Sequence, residues 1–270
     1  MDKIHQRNHF LVVAAASRGA RFFIKNALRQ GHDITALCRA SDDQAALSRM
    51  ETLLAETTVS PGGREDADVE GTLRAYNNNI VEADTYCDLL EKYPSIDRVC
   101  CFVGVTTLRR MMSPTHQLYT KTIGAIVEGM RRSRWVEFFY HGSSGTEGLP
   151  GENVTRLPEN FRPQWMLNLA LKIPAAQDCF ESERILADAK AEGMKFVIFR
   201  PAWLTTNPAR RAYGYCFDTT SMDNEALPLQ DTKTTISRED VAEEILRVAT
   251  LPKDERIHWH GHGVYLVDMK

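Results

Sequence analysis

Residues 10 to 39 read FLVVAAASRGARFFIKNALRQGHDITALCR, and this stretch decides the fold. An apolar run, Phe10 to Ala14, ends in a cluster of small residues. An amphipathic segment follows, and a second apolar run, Ile34 to Cys38, closes on Arg39. The pattern predicts strand, tight turn, helix and strand. Small residues at such a turn let the backbone approach a ligand, and amides at the helix start face a phosphate. A dinucleotide-binding unit is the reading that this context supports.

Arg18, Arg21 and Arg39 can converge where an adenosine ribose lies in such a unit, and guanidinium groups there favour a 2′-phosphate. No acidic residue closes the second strand, where a site for the unphosphorylated ribose keeps one. NADP(H) is therefore expected over NAD(H). The plain alternative for these arginines is a solvated helix start and strand end.

Outward from this unit, strand-like and helix-like patterns alternate along the chain. Residues 42 to 57 carry a helical apolar face behind Ser41 and Asp42 as caps, and the segment TVSPGGREDADVE, 58 to 70, reads as an exposed loop. A third strand is expected within 72 to 82. Asp84 follows, either beside an adenine or as the N-cap of a helix from Thr85 to Tyr93. A fourth strand, DRVCCFVG, ends on Gly104, which suits close passage under a ligand.

A helix is expected from Thr115 to Ser133 and a fifth strand from Trp135 to His141, opening into the loop GSSGTEGLPG. Residues 149 to 174, punctuated by prolines and aromatics, suggest a lid or substrate wall. A helix from Ala175 to Glu192, a sixth strand over 195 to 204 and an irregular region, 205 to 235, follow. Ser237 caps a helix from Arg238 to Ala249, and a last strand covers Val264 to Asp268. This alternation predicts one α/β domain over residues 1 to 270, with a doubly wound parallel sheet and a small substrate-binding region built from C-terminal insertions.

Lys and Arg total 33 against 36 Asp and Glu, a net charge of -3 that gives no electrostatic reason to expect nucleic acid or an anionic membrane. Arg131, Arg132 and Arg134 sit at a helix end and read as capping. The six cysteines show no C-x-x-C or metal-finger spacing and read as reduced, mostly buried thiols. The polar N-terminus lacks a signal-like apolar stretch, and no run reaches the length of a membrane span. A soluble, cytoplasmic protein is the expectation.

The segments ERILADAKAEGMKFVIFRPAWLTTNP and ISREDVAEEILRV resemble the carboxyl half of NmrA-like and biliverdin-reductase-B-like atypical short-chain dehydrogenases/reductases. The resemblance covers most of the chain and implies a Rossmann-like fold. Where such proteins carry G-x-x-G-x-x-G, this chain carries Ala14, Ser17 and Ala20; a side chain on each Cα is expected to exclude positive φ and push the backbone away from a pyrophosphate, so a weakened or lost cofactor site stands beside a retained one. Carried over, the resemblance places Ser17, Arg18, Gly19, Ala20 and Arg21 on the pyrophosphate turn and Arg39 at the 2′-phosphate corner. It places Gly104 beneath the cofactor, Ser143 at the end of strand five, and Pro201 and Trp203 beside the nicotinamide.

The larger superfamily's Tyr-x-x-x-Lys couple is absent: matching on Glu183 puts Cys179 at the Lys position and Ala175 at the Tyr position. Remaining catalytic candidates are Ser143, Ser144, His141, Cys179 and Glu183, with Lys172 nearby in the lid-like stretch. Ser143 and Ser144 read equally as turn formers, His141 as structural, Cys179 as packing, and Glu183 as solvent-facing or paired near Arg184. His258, His260 and His262 alternate as metal ligands do, yet Gly261 and Gly263 favour a turn, and no metal is expected.

Three functions follow from these residues and the resemblance. One is an NADP(H)-dependent enzyme acting on a hydrophobic small molecule, by reduction or natural-product tailoring. Another is a natural-product cyclase, and the third is a non-catalytic dinucleotide-sensing regulator with a protein partner.

Overall fold

The computed structural model describes residues 7–60, 71–105, 107–115, 117–144, 149, 172–217 and 233–269. Strand β1 (His9–Val13) leads into helix α1 (Arg18–Arg29) and strand β2 (Asp33–Leu37), as the opening stretch predicts. Then come α2 (Asp43–Ala55), β3 (Leu73–Tyr76), α3 (Ala83–Lys92), β4 (Arg98–Cys101), the short α4 (Leu108–Met111) and α5 (Leu118–Arg132). The second half contains β5 (Glu137–His141), α6 (Pro174–Ala191), β6 (Phe196–Pro201), β7 (Trp203–Thr205), β8 (Tyr213–Phe217) and β9 (Thr235–Ser237). It closes with α7 (Arg238–Ala249), α8 (Lys253–Arg256) and β10 (His262–Asp268).

The main sheet has eight strands in the order β3-β2-β1-β4-β5-β6-β10-β8. Every pairing in it is parallel except β10 with β8, which is antiparallel. This is the doubly wound Rossmann-like α/β sheet expected from the sequence. Strand residues alternate between two cores because successive side chains point to opposite faces. Phe10 and Val12 pack with Phe23, Met50 and Ile245 of α1, α2 and α7, whereas Leu11 and Val13 pack with Leu89, Ile126 and Leu186 of α3, α5 and α6. A sheet covered on both faces needs apolar central strands, which explains runs such as HFLVV and FVIF.

Beyond shifts of two or three residues at the starts of α5, β5 and β10, three features differ from the sequence reading. The sixth apolar run divides at Ala202: β6 stays in the main sheet, while β7 leaves it to pair in parallel with β9. The region 205–235 contains β8 and the start of β9, where an irregular wall was expected. Tyr213–Phe217 (YGYCF) is a short aromatic strand whose only sheet partner among the described residues is β10, distant in sequence. Finally, α3 starts earlier than expected, with Glu82 at the cap position and Asp84 inside its first turn. Residues 61–70, 145–148, 150–171 and 218–232, which hold most of the expected loop and lid, lie outside the described residues. Among the described residues no helix is long and apolar enough to cross a membrane.

Candidate functional site

β1 lies between β2 and β4, so the direction of winding reverses beside it. In open α/β sheets the crevice at the carboxyl ends of the strands flanking such a point holds ligands. The segments ending there are 14–19 after β1, Arg39 after β2, 102–105 after β4, 141–144 after β5 and 201–203 after β6.

The first of these keeps the geometry that its residues were expected to forbid. Ala14, at the first glycine position, has φ +58°, the left-handed region that glycine enters freely and an L-residue enters at a cost of about 1 kcal/mol. The Ser17 amide donates to the Ala14 carbonyl at 2.9 Å and closes the turn. Ser17 is also the N-cap of α1, its hydroxyl accepting from the Ala20 amide at 3.3 Å. The amides of Arg18 and Gly19 have no acceptor among the described residues. A capped helix start with two free amides fits an oxyanion.

Gly19 packs over an aromatic ring. A Cβ there would lie 3.4 Å from the Phe102 ring, which closes the space under the turn. Phe102 also stacks on His141 with ring centroids 5.8 Å apart, so one side chain joins the ends of β1, β4 and β5. Beside it a Cβ on Gly104 would meet nothing within 4 Å, leaving open space above the end of β4. Phe102 was not singled out from the sequence, because an aromatic at a strand end reads as core.

The other sequence candidates divide into those at this edge and those below it. Pro201 is buried at the end of β6, and Trp203 stands 65% exposed just beyond it. Ser143 and Ser144 are half-buried in the turn after β5, and the Ser144 amide donates to the Pro201 carbonyl at 3.4 Å. His141 is half-buried, and burial, then the nearby Arg238 charge, lowers its pKa to about 4. It is therefore neutral at pH 7. Arg18 and Arg39 are exposed. The Arg39 carbonyl accepts from the Arg49 guanidinium. Arg21 is half-buried with its Nε unpartnered.

Cys179 and Glu183 lie below the edge, in the interface of α6 with the sheet. Glu183 neither faces solvent nor pairs near Arg184. It meets the Arg200 guanidinium at 2.7 Å, with both side chains 0% exposed. A carboxylate so held is not free to move a proton. The Cys179 thiol lies 3.5 Å from the Tyr140 hydroxyl, and burial pushes its pKa up to about 12, so it stays a thiol. Asp84 is drawn elsewhere: it pairs with Arg132 at 2.7 Å, in the last turn of α5. The opposite end of α5 meets the site, where Tyr119 accepts from the Val105 amide at 3.3 Å. Asp84 is thus neither the cap nor brought to the other candidates. Lys172 is exposed just before α6.

Arg238, the first residue of α7, also reaches this edge and was missed in the sequence. Its Nη1 donates to the carbonyls of Leu204 and Thr205 at 3.3 and 2.9 Å. His258, His260 and His262 do not converge: His260 sits 3.6 Å from Glu137, and among the described residues no three potential ligands gather for a metal.

No family model and no curated protein matches the chain. Solved structures do, at low identity. A short-chain dehydrogenase/reductase from Veillonella parvula, solved in complex with NADP, aligns with TM-score 0.61 and 14% identity over 97% of this chain and 94% of its own. This chain has its fold. The terminal R domain from the myxalamid PKS-NRPS biosynthetic pathway aligns with TM-score 0.64 and 14% identity over 97% of this chain and 66% of that one. An oxidoreductase from Lactococcus lactis aligns with TM-score 0.56 and 11% identity over 97% and 91%. The atypical short-chain reductase resemblance of the sequence and the structural neighbours thus agree on a Rossmann-like architecture.

Proposed function

We propose that the chain binds NADP(H) at the carboxyl edge of β1 and β4 and acts as a reductase on a hydrophobic small molecule. The observation that carries this reading is the left-handed Ala14, capped through Ser17, which keeps a phosphate-facing turn without its glycines. The amides of Arg18 and Gly19 would hold the diphosphate, the open space at Gly104 would admit the adjoining ribose, and Arg39 would meet a 2′-phosphate. The nicotinamide, when bound, supplies a hydride.

The chain's own contribution is orientation and exclusion of water. Phe102 forms an apolar floor against Gly19 and His141, and the exposed Trp203 offers an apolar face to a substrate ring. Ser143, at the end of β5, would donate a hydrogen bond to a substrate oxygen. The fold shared with an NADP-bound reductase and with a natural-product R domain supports this class of chemistry.

A second reading, a dinucleotide-binding regulator without turnover, draws on one observation: Glu183 is locked to Arg200 and Cys179 is kept as a thiol, so neither serves as a proton donor or acceptor. Titration with NADPH and NADH, followed by nicotinamide fluorescence, tests the shared premise, with Arg39→Ala alongside. Saturable NADPH binding that Arg39→Ala weakens supports the site. Absence of binding of both nucleotides ends both readings. Consumption of NADPH against a panel of apolar carbonyl and enone compounds then separates reductase from regulator.

A further inference from the structure

α1 and α7 pack side by side and begin alike. Each starts with a serine cap whose hydroxyl accepts from the amide three residues on, Ser17 from Ala20 at 3.3 Å and Ser237 from Asp240 at 2.9 Å. Each then places an arginine at its first position: Arg18 on α1 and Arg238 on α7.

We infer that Arg18 and Arg238 together form a two-guanidinium clamp for the diphosphate of a nucleotide, with Arg238 as the anchored jaw. The inference rests in part on the dinucleotide reading above and assigns a phosphate-binding residue to a region that the sequence reading left as a helix cap.

Four observations carry it. First, Arg238 is fixed in place: its Nη1 is held by the carbonyls of Leu204 and Thr205, and its Nε and Nη2 have no acceptor among the described residues. Second, neither Arg18 nor Arg238 has a carboxylate partner among the described residues, whereas Arg98, Arg200, Arg211 and Arg247 each have one within 4.0 Å.

Third, the carboxylates next to Arg238 in sequence are turned away from it. Glu239 accepts from the Ser60 hydroxyl at 2.7 Å and from the Ala209 amide at 3.1 Å. Asp240 accepts from the amides of Arg210 and Arg211 at 3.0 and 2.9 Å. Fourth, the two helices pack on one another with both starts at the carboxyl edge of the sheet, and burial and then the Arg18 charge disfavour the Arg238 cation, a cost that a bound anion would reduce. Planar guanidinium groups engage phosphate oxygens in pairs, which a lysine ammonium does not.

The test is calorimetric titration of the full chain with inorganic pyrophosphate and, separately, NADPH, using wild type, Arg238→Gln, Arg238→Lys and Arg18→Gln. The clamp predicts that Arg238→Gln weakens both ligands about tenfold, that Arg238→Lys recovers only part of the loss, and that affinity falls with added salt. Without ligand, Arg18→Gln should raise the melting temperature by relieving the repulsion, a change that a purely structural arginine would not give. If Arg238→Gln does not fold, the exposed Arg18 variant carries the test.

Wild-type protein that binds no pyrophosphate, or NADPH binding that neither arginine variant weakens, overturns the clamp. Pyrophosphate binding that depends on Arg238, with no NADPH binding, retains the clamp and removes the dinucleotide reading.

Discussion

The Arg200 guanidinium and the Glu183 carboxylate meet at 2.7 Å with neither side chain reaching solvent. The pair joins β6 to α6, and Gly263 makes room for it. A Cβ on Gly263 would lie 2.0 Å from Arg200 Nη1, which no side chain could allow without moving the guanidinium. Arg200 also lies over the Tyr265 ring, 5.4 Å from its centroid.

Breaking a buried pair from one side strands the other charge and costs about 3–5 kcal/mol. Glu183→Ala and Gly263→Ala should each unfold at markedly lower urea, and the double variant Glu183→Leu/Arg200→Met should recover most of the loss. Equal stability of the single and double variants would show that the pair is not the source.

Ala14→Gly should stabilise the protein, since glycine enters φ +58° without the penalty that alanine meets. The gain is set against glycine's looser unfolded chain and should come to about 0.5–1 kcal/mol. Ser17→Ala, which removes the cap of the same turn, should cost about 1 kcal/mol. Chemical denaturation of the two variants measures both signs.

Acid should destabilise the fold before its carboxylates titrate. Burial lowers the pKa of His141 to about 4 and also lowers those of His9 and His260. Each histidine thus takes up its proton more readily when unfolded. Stability contributed by the neutral rings is present above about pH 6.5 and is lost as pH falls from there toward 4. Melting temperature recorded across that range should decline, with a shallower slope in His141→Gln.

All six cysteines are buried and free, and burial raises Cys179 and Cys101 to about 12. An aromatic disulfide reagent at pH 8 should therefore find almost no fast-reacting thiol in the native protein and six after denaturation. Rapid labelling of Cys179 in the native state would contradict its placement on the face of α6 that packs against the sheet.

Asp178 of α6 accepts from the amides of Tyr119 and Thr120 at 2.8 and 3.0 Å and from the Thr120 hydroxyl at 2.6 Å, capping α5 from across the interface. Asp178→Ala should cost about 1–2 kcal/mol and loosen the link from Tyr119 to Val105. Faster hydrogen exchange at Val105 would report it.

The sequence made local structure legible where periodicity and capping are local. The helix from Arg238 to Ala249, opened by Ser237, has those bounds, and the first strand-turn-helix-strand unit lies within a residue or two of its expected limits. What depends on distant partners was not legible. YGYCF becomes a strand because β10 arrives beside it, and Glu183 pairs with Arg200 because α6 packs on β6. The rule that a methyl group forbids positive φ gave the wrong expectation at Ala14, where the surrounding turn over-determines a costly conformation. Arg238 was hidden for a related reason, since only the packing of α1 against α7 brings it toward Arg18.

The place of β10 sets the order in which the sheet can be completed. β10 fills the gap between β6 and β8, yet both of those strands precede it in the chain. As the chain emerges during synthesis, β8 has no neighbour in the main sheet among the described residues until residues 262–268 follow. The aromatic surface of Tyr215, Phe217 and Trp259, whose rings lie within 5.8 Å of one another, must wait uncovered for the same event. Pairing of strands across long sequence separations is slow, so this half of the molecule depends most on shelter while the chain is being made.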